Sequence, residues 1–401
     1  MTDVVTWPQD RACPYDPSPG YRPLREDRPL SQIRLYDGRT AWIVTGHALG
    51  RKLLNDPRIS SDQQHPNFPF PAPRFAGSQE FRTPLLGVDG EDHKIHRRGL
   101  IPSFSFRRVS AMRTHIQETV DELIDGLLRQ GPPADLVEGL AVAVSSQTVC
   151  ALLGVPYEDN QFFKDQVYKV LRSSTNEEAE TASIALQKYL GELFDRKEAE
   201  GSTGDLLSDL LEDQRRQQTV ERHELIGIVV LLLLAGYDTT ASMISLSTYT
   251  LLQHPRQLEE LRADPSLMPT AVEELLRFQS VAEGVLRVAT ADIKAGSDVI
   301  KAGDGVVFSN SLMNRDEAVY ARPDELDWSR SARHHFAFGH GIHQCVGQNL
   351  ARAEIELTLS TLFRRIPDVR LAVPADEVPM PPGTTVQGPT ELLVTWGGAG
   401  D

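Results

Sequence analysis

The sequence predicts a mainly α chain with small β-sheets, an α+β fold. Three observations carry that prediction. Between about Asp92 and about Asp264, apolar residues recur with a 3.6-residue period in one segment after another. His223 to His254 reads as one unbroken helix, about 48 Å long at 1.5 Å per residue. After Arg277 the pattern switches to short β-branched runs punctuated by Gly296 and by Gly303-Asp-Gly305. There is no βαβ alternation and no internal repeat, which sets aside doubly wound and solenoid architectures.

The first 60 residues are proline-rich and then strand-like. Ile33 to Tyr36 and Ala41 to Val44 flank an Asp37-Gly38 turn signal and predict a hairpin. Gly46 to Leu54 has helical spacing. His65 to Arg82 holds four prolines and several aromatics, a long irregular loop of the kind that often carries function. Helices are predicted over Val109 to Arg129, Ala134 to Leu153, Asn160 to Arg172, Glu177 to Glu200 and Gly204 to Gln217. The long helix should stop at His254 because Pro255 follows. Strands are predicted at Val285 to Ala289, Val299 to Ile300 and Val306 to Phe308. An irregular stretch follows over Asn314 to His335, then a helix over Val346 to Arg365 and a hairpin over Thr384 to Trp396.

Hydrophobic residues make up 40% of the 401 and charged residues 24%, an ordinary globular composition in a chain long enough to enclose a cofactor. With no Gly/Ser-rich linker, residues 1–401 read as a single domain. The formal net charge of -15 argues against non-specific nucleic-acid binding, which needs a basic footprint, and favours solubility. The N-terminus has no basic segment followed by an apolar core, so no signal peptide is read. The longest apolar run, Leu225 to Gly236, has 12 residues where a bilayer span takes about 20. A cytoplasmic monomer that avoids membranes is expected.

The three cysteines, Cys13, Cys150 and Cys345, are odd in number and far apart. A disulfide framework is not indicated, and no CxxC spacing supports zinc-ribbon or iron–sulfur readings. Metal chemistry must therefore rest on one cysteine. The strongest feature is Phe338-Gly-His-Gly-Ile-His-Gln-Cys-Val-Gly347. Gly339, Gly341 and Gly347 let the backbone approach something flat and wide. At the start of the following helix, unpaired N–H groups and the dipole favour a thiolate at Cys345, and Phe338, seven residues earlier, can pack on the same face. An isolated cysteine in a glycine-rich turn is usually a buried structural thiol. The full F-x-x-G-x-x-x-C-x-G spacing points instead to a Cys-ligated haem, whose thiolate pushes electron density toward O–O cleavage.

This segment resembles the haem loop of the cytochrome P450 superfamily, and the resemblance covers nearly the whole chain. It is closest to the soluble actinobacterial branch of macrolide, polyketide and vitamin-D hydroxylases. It implies haem b held between the long central helix and the Cys345 loop, with Cys345 as the axial ligand. Two departures are visible: Asp89-Gly-Glu-Asp-His93 where Asp-Pro-Pro-Glu-His is more usual, and Val346 after the cysteine where Leu is commoner.

Three further motifs fit the resemblance. Ala235-Gly-Tyr-Asp-Thr-Thr240 puts an acid and hydroxyls inside an apolar helix, which costs stability unless they are satisfied. Thr239 can bond the carbonyl of Ala235 and bend the helix, and Gly236 would let a flat ligand approach. A satisfied polar kink is the plainer reading; the resemblance makes Asp238 and Thr239 an acid–alcohol pair that relays protons to the oxygen site. Glu274-Leu-Leu-Arg277 places acid and base on one helix face, where an exposed pair of little worth is the plainer reading. The resemblance makes it a buried structural clasp, completed by Arg330. His93 and Arg97, one turn apart, would face the haem propionates with Arg287 and His343. Each alone reads as a solvated charge, but together they supply two carboxylates with charge-assisted partners.

No flavin or iron–sulfur module is visible, so electrons should come from a ferredoxin and its reductase. A basic docking patch is expected from Arg98, Arg107, Arg108, Arg333, Arg352 and Arg364. Walls of a lipophilic pocket should come from the Phe68 to Leu86 loop, from Val167 to Leu186, from Leu232, Leu233 and Ala235, from Val281 to Val285, and from Thr385-Val386. Glu283 is the one acid among them, and Arg74 and Arg82 could meet a polar edge of the substrate. The expected reaction inserts one atom of O2 into a macrolide or other polyketide, by hydroxylation or epoxidation. A terpenoid or sterol-like substrate is second. A coupling oxidase stays open, and the Asp238-Thr239 pair argues against a peroxygenase. A haem sensor or carrier is the non-enzymatic rival.

Overall fold

The structure, a computed structural model, describes residues 4–27, 29–73, 83–172, 175–201, 204–217, 220–382 and 385–397. Arg74 and Arg82 lie outside the described residues, as does Thr384.

The N-terminal part builds strands β1 (Val5–Thr6), β2 (Leu30–Arg34) and β3 (Thr40–Val44), helix α1 (Arg22–Asp27), helix α2 (His47–Leu54) and strand β4 (Ile59–Ser60). The Asp37-Gly38 turn closes the predicted hairpin, with Gly38 at φ 84 and β2 antiparallel to β3 from Leu30↔Val44 to Arg34↔Thr40. The six-stranded sheet runs β1-β2-β3-β9-β6-β4, where β6 is Gly284–Ala289 and β9 is Gly305–Ser309. Segments far apart in the chain thus share one sheet: Trp42↔Val306 pair in parallel and Arg287↔Val306 antiparallel.

The helical part follows the predicted periodicity. Helix α3 is Gly90–Leu100 and α4 is Phe106–Gln130. Ser105 caps α4 by accepting from the Arg108 N–H, and Gly131 ends it at φ 77. Helices α5 (Ala143–Leu153), α6 (Asn160–Arg172), α7 (Asn176–Glu200) and α8 (Leu206–Gln217) follow. Gly154 ends α5 at φ 77 directly against the Asp205 side chain, which pairs with Lys197 at 2.5 Å. The single helix predicted over Ala134 to Leu153 is three elements: strand β5 (Ala134–Asp135), a π-helical turn (Val137–Val142) and α5. Asp135 accepts from the N–H groups of Val137 and Leu392, which pulls the first two residues out of the helix and into a sheet.

The long helix is α9 (Arg222–Gln253), started by a Glu221/Glu224 capping box and stopped by Pro255. It is apolar around most of its circumference because it runs through the core between α5, α6, α7 and the later helices. By length and composition it could cross a membrane; its position inside the helical core accounts for that composition. Helices α10 (Pro255–Ala263), α11 (Met268–Gln279), α12 (Asn310–Met313) and α13 (Gln348–Arg365) complete the set, with a β7 (Ile293–Ala295) and β8 (Asp298–Ile300) hairpin between. The C-terminal hairpin is corrected. Strand β11 (Leu393–Thr395) lies between β10 (Arg370–Leu371) and β5, while Val386 makes one bridge to Ala282.

Candidate active site

Cys345 sits in a loop fixed at its neck, where its N–H donates to the Phe338 carbonyl at 2.9 Å. Gly341, at φ 78, lies against the end of α2, where a Cβ would come within 2.3 Å of the Leu54 carbonyl oxygen. The N–H groups of Gly347 and Gln348, at the start of α13, address the sulfur. Cys345 is exposed at its surface, yet the protein packed around it desolvates the thiol and pushes it up, against those N–H groups and the charges of Arg97 and Arg352. The fold alone therefore does not ionise this thiol; a bound metal would. Among the described residues no cluster of three or more His, Cys, Asp or Glu is arranged to hold a metal ion.

Beside the loop, four cationic or donor groups converge. His93 is 2% exposed, and its Nε2 has no partner among the described residues. Burial first, then His343 and Arg97, hold the His93 imidazole down at about 4, so the ring is neutral. Arg97 donates to the Gln344 carbonyl at 2.6 Å. Arg287 is buried on β6 and donates to the Leu286 carbonyl at 2.7 Å; desolvation draws it down to about 10, opposed by Asp89. His343 directs Nε2 at Asp89 Oδ1, 2.9 Å away, and is held below the ordinary imidazole value by burial despite that carboxylate.

Asp89 escaped the sequence reading. It sits just before α3 and accepts from Ser60 Oγ (2.6 Å), the Ser61 N–H (2.9 Å) and Ser61 Oγ (3.0 Å). Burial raises its carboxyl, but His343 and the serine donors outweigh this and hold it well below the usual range. It stands four residues before His93, a spacing that could have flagged it. Its neighbour Gly90 takes φ 61, a conformation open to glycine and closed to the proline more usual in that loop.

On α9, Thr239 Oγ1 donates to the Ala235 carbonyl at 2.7 Å, as the sequence suggested. Ala235 is exposed halfway along this otherwise buried helix, with Leu232 and Thr239 on the same side. Gly236 faces Val149 of α5, where a Cβ would stand at an ordinary contact distance of 3.4 Å. One predicted wall residue is corrected. Leu233 is 1% exposed on the face opposite Ala235 and belongs to the core. Among the other predicted wall residues, Val285 and Val386 are half-buried and Leu86 is exposed. Glu283 does not face a pocket: it pairs with Arg11 at 2.9 Å and accepts from Ser309 and Ser311.

Behind the loop, Glu274 and Arg277 are both 0% exposed and form a bidentate pair at 2.7 and 2.8 Å. Arg330 Nε joins at 3.0 Å, and Arg277 also donates to the carbonyls of Asn314 and Pro323. Of the expected docking arginines, Arg352 is not a free cation but is paired with Glu273. Arg98, Arg107, Arg333 and Arg364 are exposed, and Arg108 donates to the Gly204 carbonyl.

A single accessible thiol on a helix N-terminus, with an orphaned buried imidazole and two arginines beside it, fits haem with its two propionates and defines a haem-thiolate protein. The chain belongs to the cytochrome P450 family, whose description, Cytochrome P450, matches residues 38–392. It is 56% identical to the pentalenic acid synthase of Streptomyces avermitilis, covering 98% of this chain and 97% of that one. It is 48% identical to the vitamin D3 dihydroxylase of Streptomyces griseolus, covering 98% of each. The crystal structure of mycinamicin VIII C21 methyl hydroxylase from Micromonospora griseorubida, bound to mycinamicin VIII, superposes with a TM-score of 0.91 at 40% identity. That match covers 98% of this chain and all of the other. The fold is the P450 fold, the cofactor is haem, and the protein is a P450 monooxygenase.

Proposed function

We propose that residues 1–401 form one domain that inserts an atom of O2 into a large lipophilic natural product, taking electrons from a ferredoxin and its reductase. The observation that carries this reading is the lone Cys345 thiol beside the His93, Arg97, Arg287 and His343 cluster. Bound haem supplies oxygen activation at its iron. Cys345 Sγ would ligate the iron, steadied by the Gly347 and Gln348 N–H groups. His93 Nε2, Arg97 and Arg287 would hold the propionates, while His343, tied to Asp89, orients the cluster. Phe338, Gly339, Ala235 and Gly236 would pack against the haem. Asp238 and Thr239 would hold and pass protons, with the Thr239 hydroxyl oriented by the Ala235 carbonyl.

Macrolides or other polyketides are one substrate class, hydroxylated or epoxidised. A terpenoid or sterol-like substrate is the second. The 56% and 48% identity to relatives named for pentalenic acid and vitamin D3, against 40% for the macrolide hydroxylase, favours it. Leu86, Leu232, Val285 and Val386 would contribute apolar wall. The burial of α9 inside the core supports a soluble, cytoplasmic protein, and a monomer is the simplest state.

The test is the carbon monoxide difference spectrum of the reduced protein beside Cys345→Ser. A strongly red-shifted Soret band lost in the variant supports thiolate ligation; an ordinary haem band in the wild type refutes it. Turnover with a ferredoxin system on a panel of macrolides, terpenoid acids and sterols then separates the substrate classes.

A further inference from the structure

We infer that Arg352, held in place by Glu273, is a positioning residue for the loop that presents the Cys345 thiolate. The inference rests on Cys345 being the haem ligand. Arg352 lies one turn into α13, and its guanidinium carbon is 4.5 Å from the centre of the Phe338 ring. Its orientation is fixed from two sides. Nε and Nη2 reach the Glu273 carboxylate of α11 at 2.5 and 3.1 Å, and Nη1 reaches the carbonyl and side-chain oxygens of Gln348 at 3.2 and 3.1 Å.

Glu273 has a second partner. His335 Nε2 lies 3.2 Å from Oε2, the oxygen that also accepts from Arg352 Nη2, and the Ala337 N–H donates to His335 Nδ1 at 3.2 Å. With Nδ1 accepting, Nε2 carries the proton that faces Glu273. The His335 ring in turn lies 5.7 Å from the Phe338 ring, so Phe338 has Arg352 and His335 as polar neighbours, both held by one carboxylate. Phe338 is the residue whose carbonyl closes the thiol loop on the Cys345 N–H. The side chains of His335, Glu273 and Arg352 are 1%, 12% and 25% exposed, so this is not a surface pair screened to nothing. Glu273 pairs with Arg352 and fixes the plane of its guanidinium. What Arg352 supplies is therefore the planar stack that sets the Phe338 ring, and through it the reach of the sulfur toward a bound iron.

The experiment follows loss of thiolate ligation in the haem-loaded protein by conversion of the red-shifted reduced carbon monoxide band to the ordinary one in mild urea. Arg352→Met, which keeps the stem and loses the fork, should convert about tenfold faster, the scale of a partly desolvated cation–π contact. Glu273→Gln should move the same way. Arg352→Lys should recover only part, because an ammonium does not stack as a plane. Arg113→Met is the control: Arg113 pairs with Glu356 on the same helix α13, so its loss probes that helix without touching Phe338. Conversion of Arg113→Met at the wild-type rate, with Arg352→Met faster, supports the inference. Equal rates for Arg352→Met and wild type overturn it, as does equal acceleration by the Arg113 control. If Arg352→Met fails to load haem, Arg352→Lys decides: a wild-type rate overturns the inference and a faster one supports it. A wild type without the red-shifted band overturns the Cys345 reading and this inference together.

Discussion

The imidazoles of His93 and His343 lie with ring centres 4.1 Å apart, and they divide their duties unequally. His343 is committed through Nε2 to Asp89 at 2.9 Å, whereas His93 keeps a buried Nε2 without a partner among the described residues. A neutral ring with an unspent nitrogen, next to one already anchored, is an arrangement that a carboxylate-bearing ligand completes.

His93→Phe keeps an aromatic ring beside His343 and removes the donor. Haem should leave the variant about 10- to 100-fold faster, since a hydrogen bond to a charged group contributes about 1.5–3 kcal/mol. Transfer of haem to an excess of an apo-globin measures this. Equal release rates would remove His93 from the propionate set.

Thr239→Val preserves shape and β-branching but deletes the hydroxyl that donates to Ala235. Product formed per electron pair consumed should fall by about tenfold or more, because proton transfer by a positioned group contributes about 10²–10⁴-fold. Substrate binding, read from the substrate-induced spectral shift, should stay close to wild type. Asp238→Asn should lower the same ratio.

Glu274→Gln leaves Arg277 buried at 0% exposure without its ionised partner. The expected loss is about 3–5 kcal/mol in urea unfolding, the scale for breaking one side of a buried pair. Arg22→Ala removes a pair whose members are 81% and 62% exposed and should shift the midpoint hardly at all.

Burial raises the Glu273 carboxyl, but His335 and Arg352 outweigh it and hold it at about 2, against an ordinary value of 4.5. A depressed acid stabilises the fold above its unfolded value and loses that contribution as pH falls through the folded one. Stability should therefore drop between about pH 4.5 and pH 2, with this group adding about 1.4 kcal/mol per pH unit. His335, lowered by burial, adds loss of the same sign starting below 6.5. Glu273→Gln should flatten the lower window when urea midpoints are compared across pH. An unchanged slope would mean that the carboxylate does not titrate there.

What was legible in the sequence was local. The thiol loop, the Glu274–Arg277 spacing and the His93–Arg97 turn each lie within ten residues, so their spacing states their geometry. The missed groups find partners across long separations: Asp89 with His343, Glu273 with Arg352, Arg11 with Glu283. Nothing near Glu283 distinguishes an acid in a pocket wall from one paired with the N-terminal segment. Strand β5 is two residues long, below any window in which periodicity can be measured, and its pairing to β11 spans most of the chain.

Glu273 and Glu274 are neighbours on α11, so helical geometry points their side chains about 100° apart. One grips Arg277 and Arg330, the other Arg352 and His335. Rolling α11 about its axis would take Glu274 from Arg330 and Glu273 from Arg352 and His335 at once, while the Glu274–Arg277 pair, both members on α11, would travel with the helix. The helix works like a key with two unequal teeth. The stretch before the cysteine and the helix after it are indexed from one object, so an error in either location is registered by both.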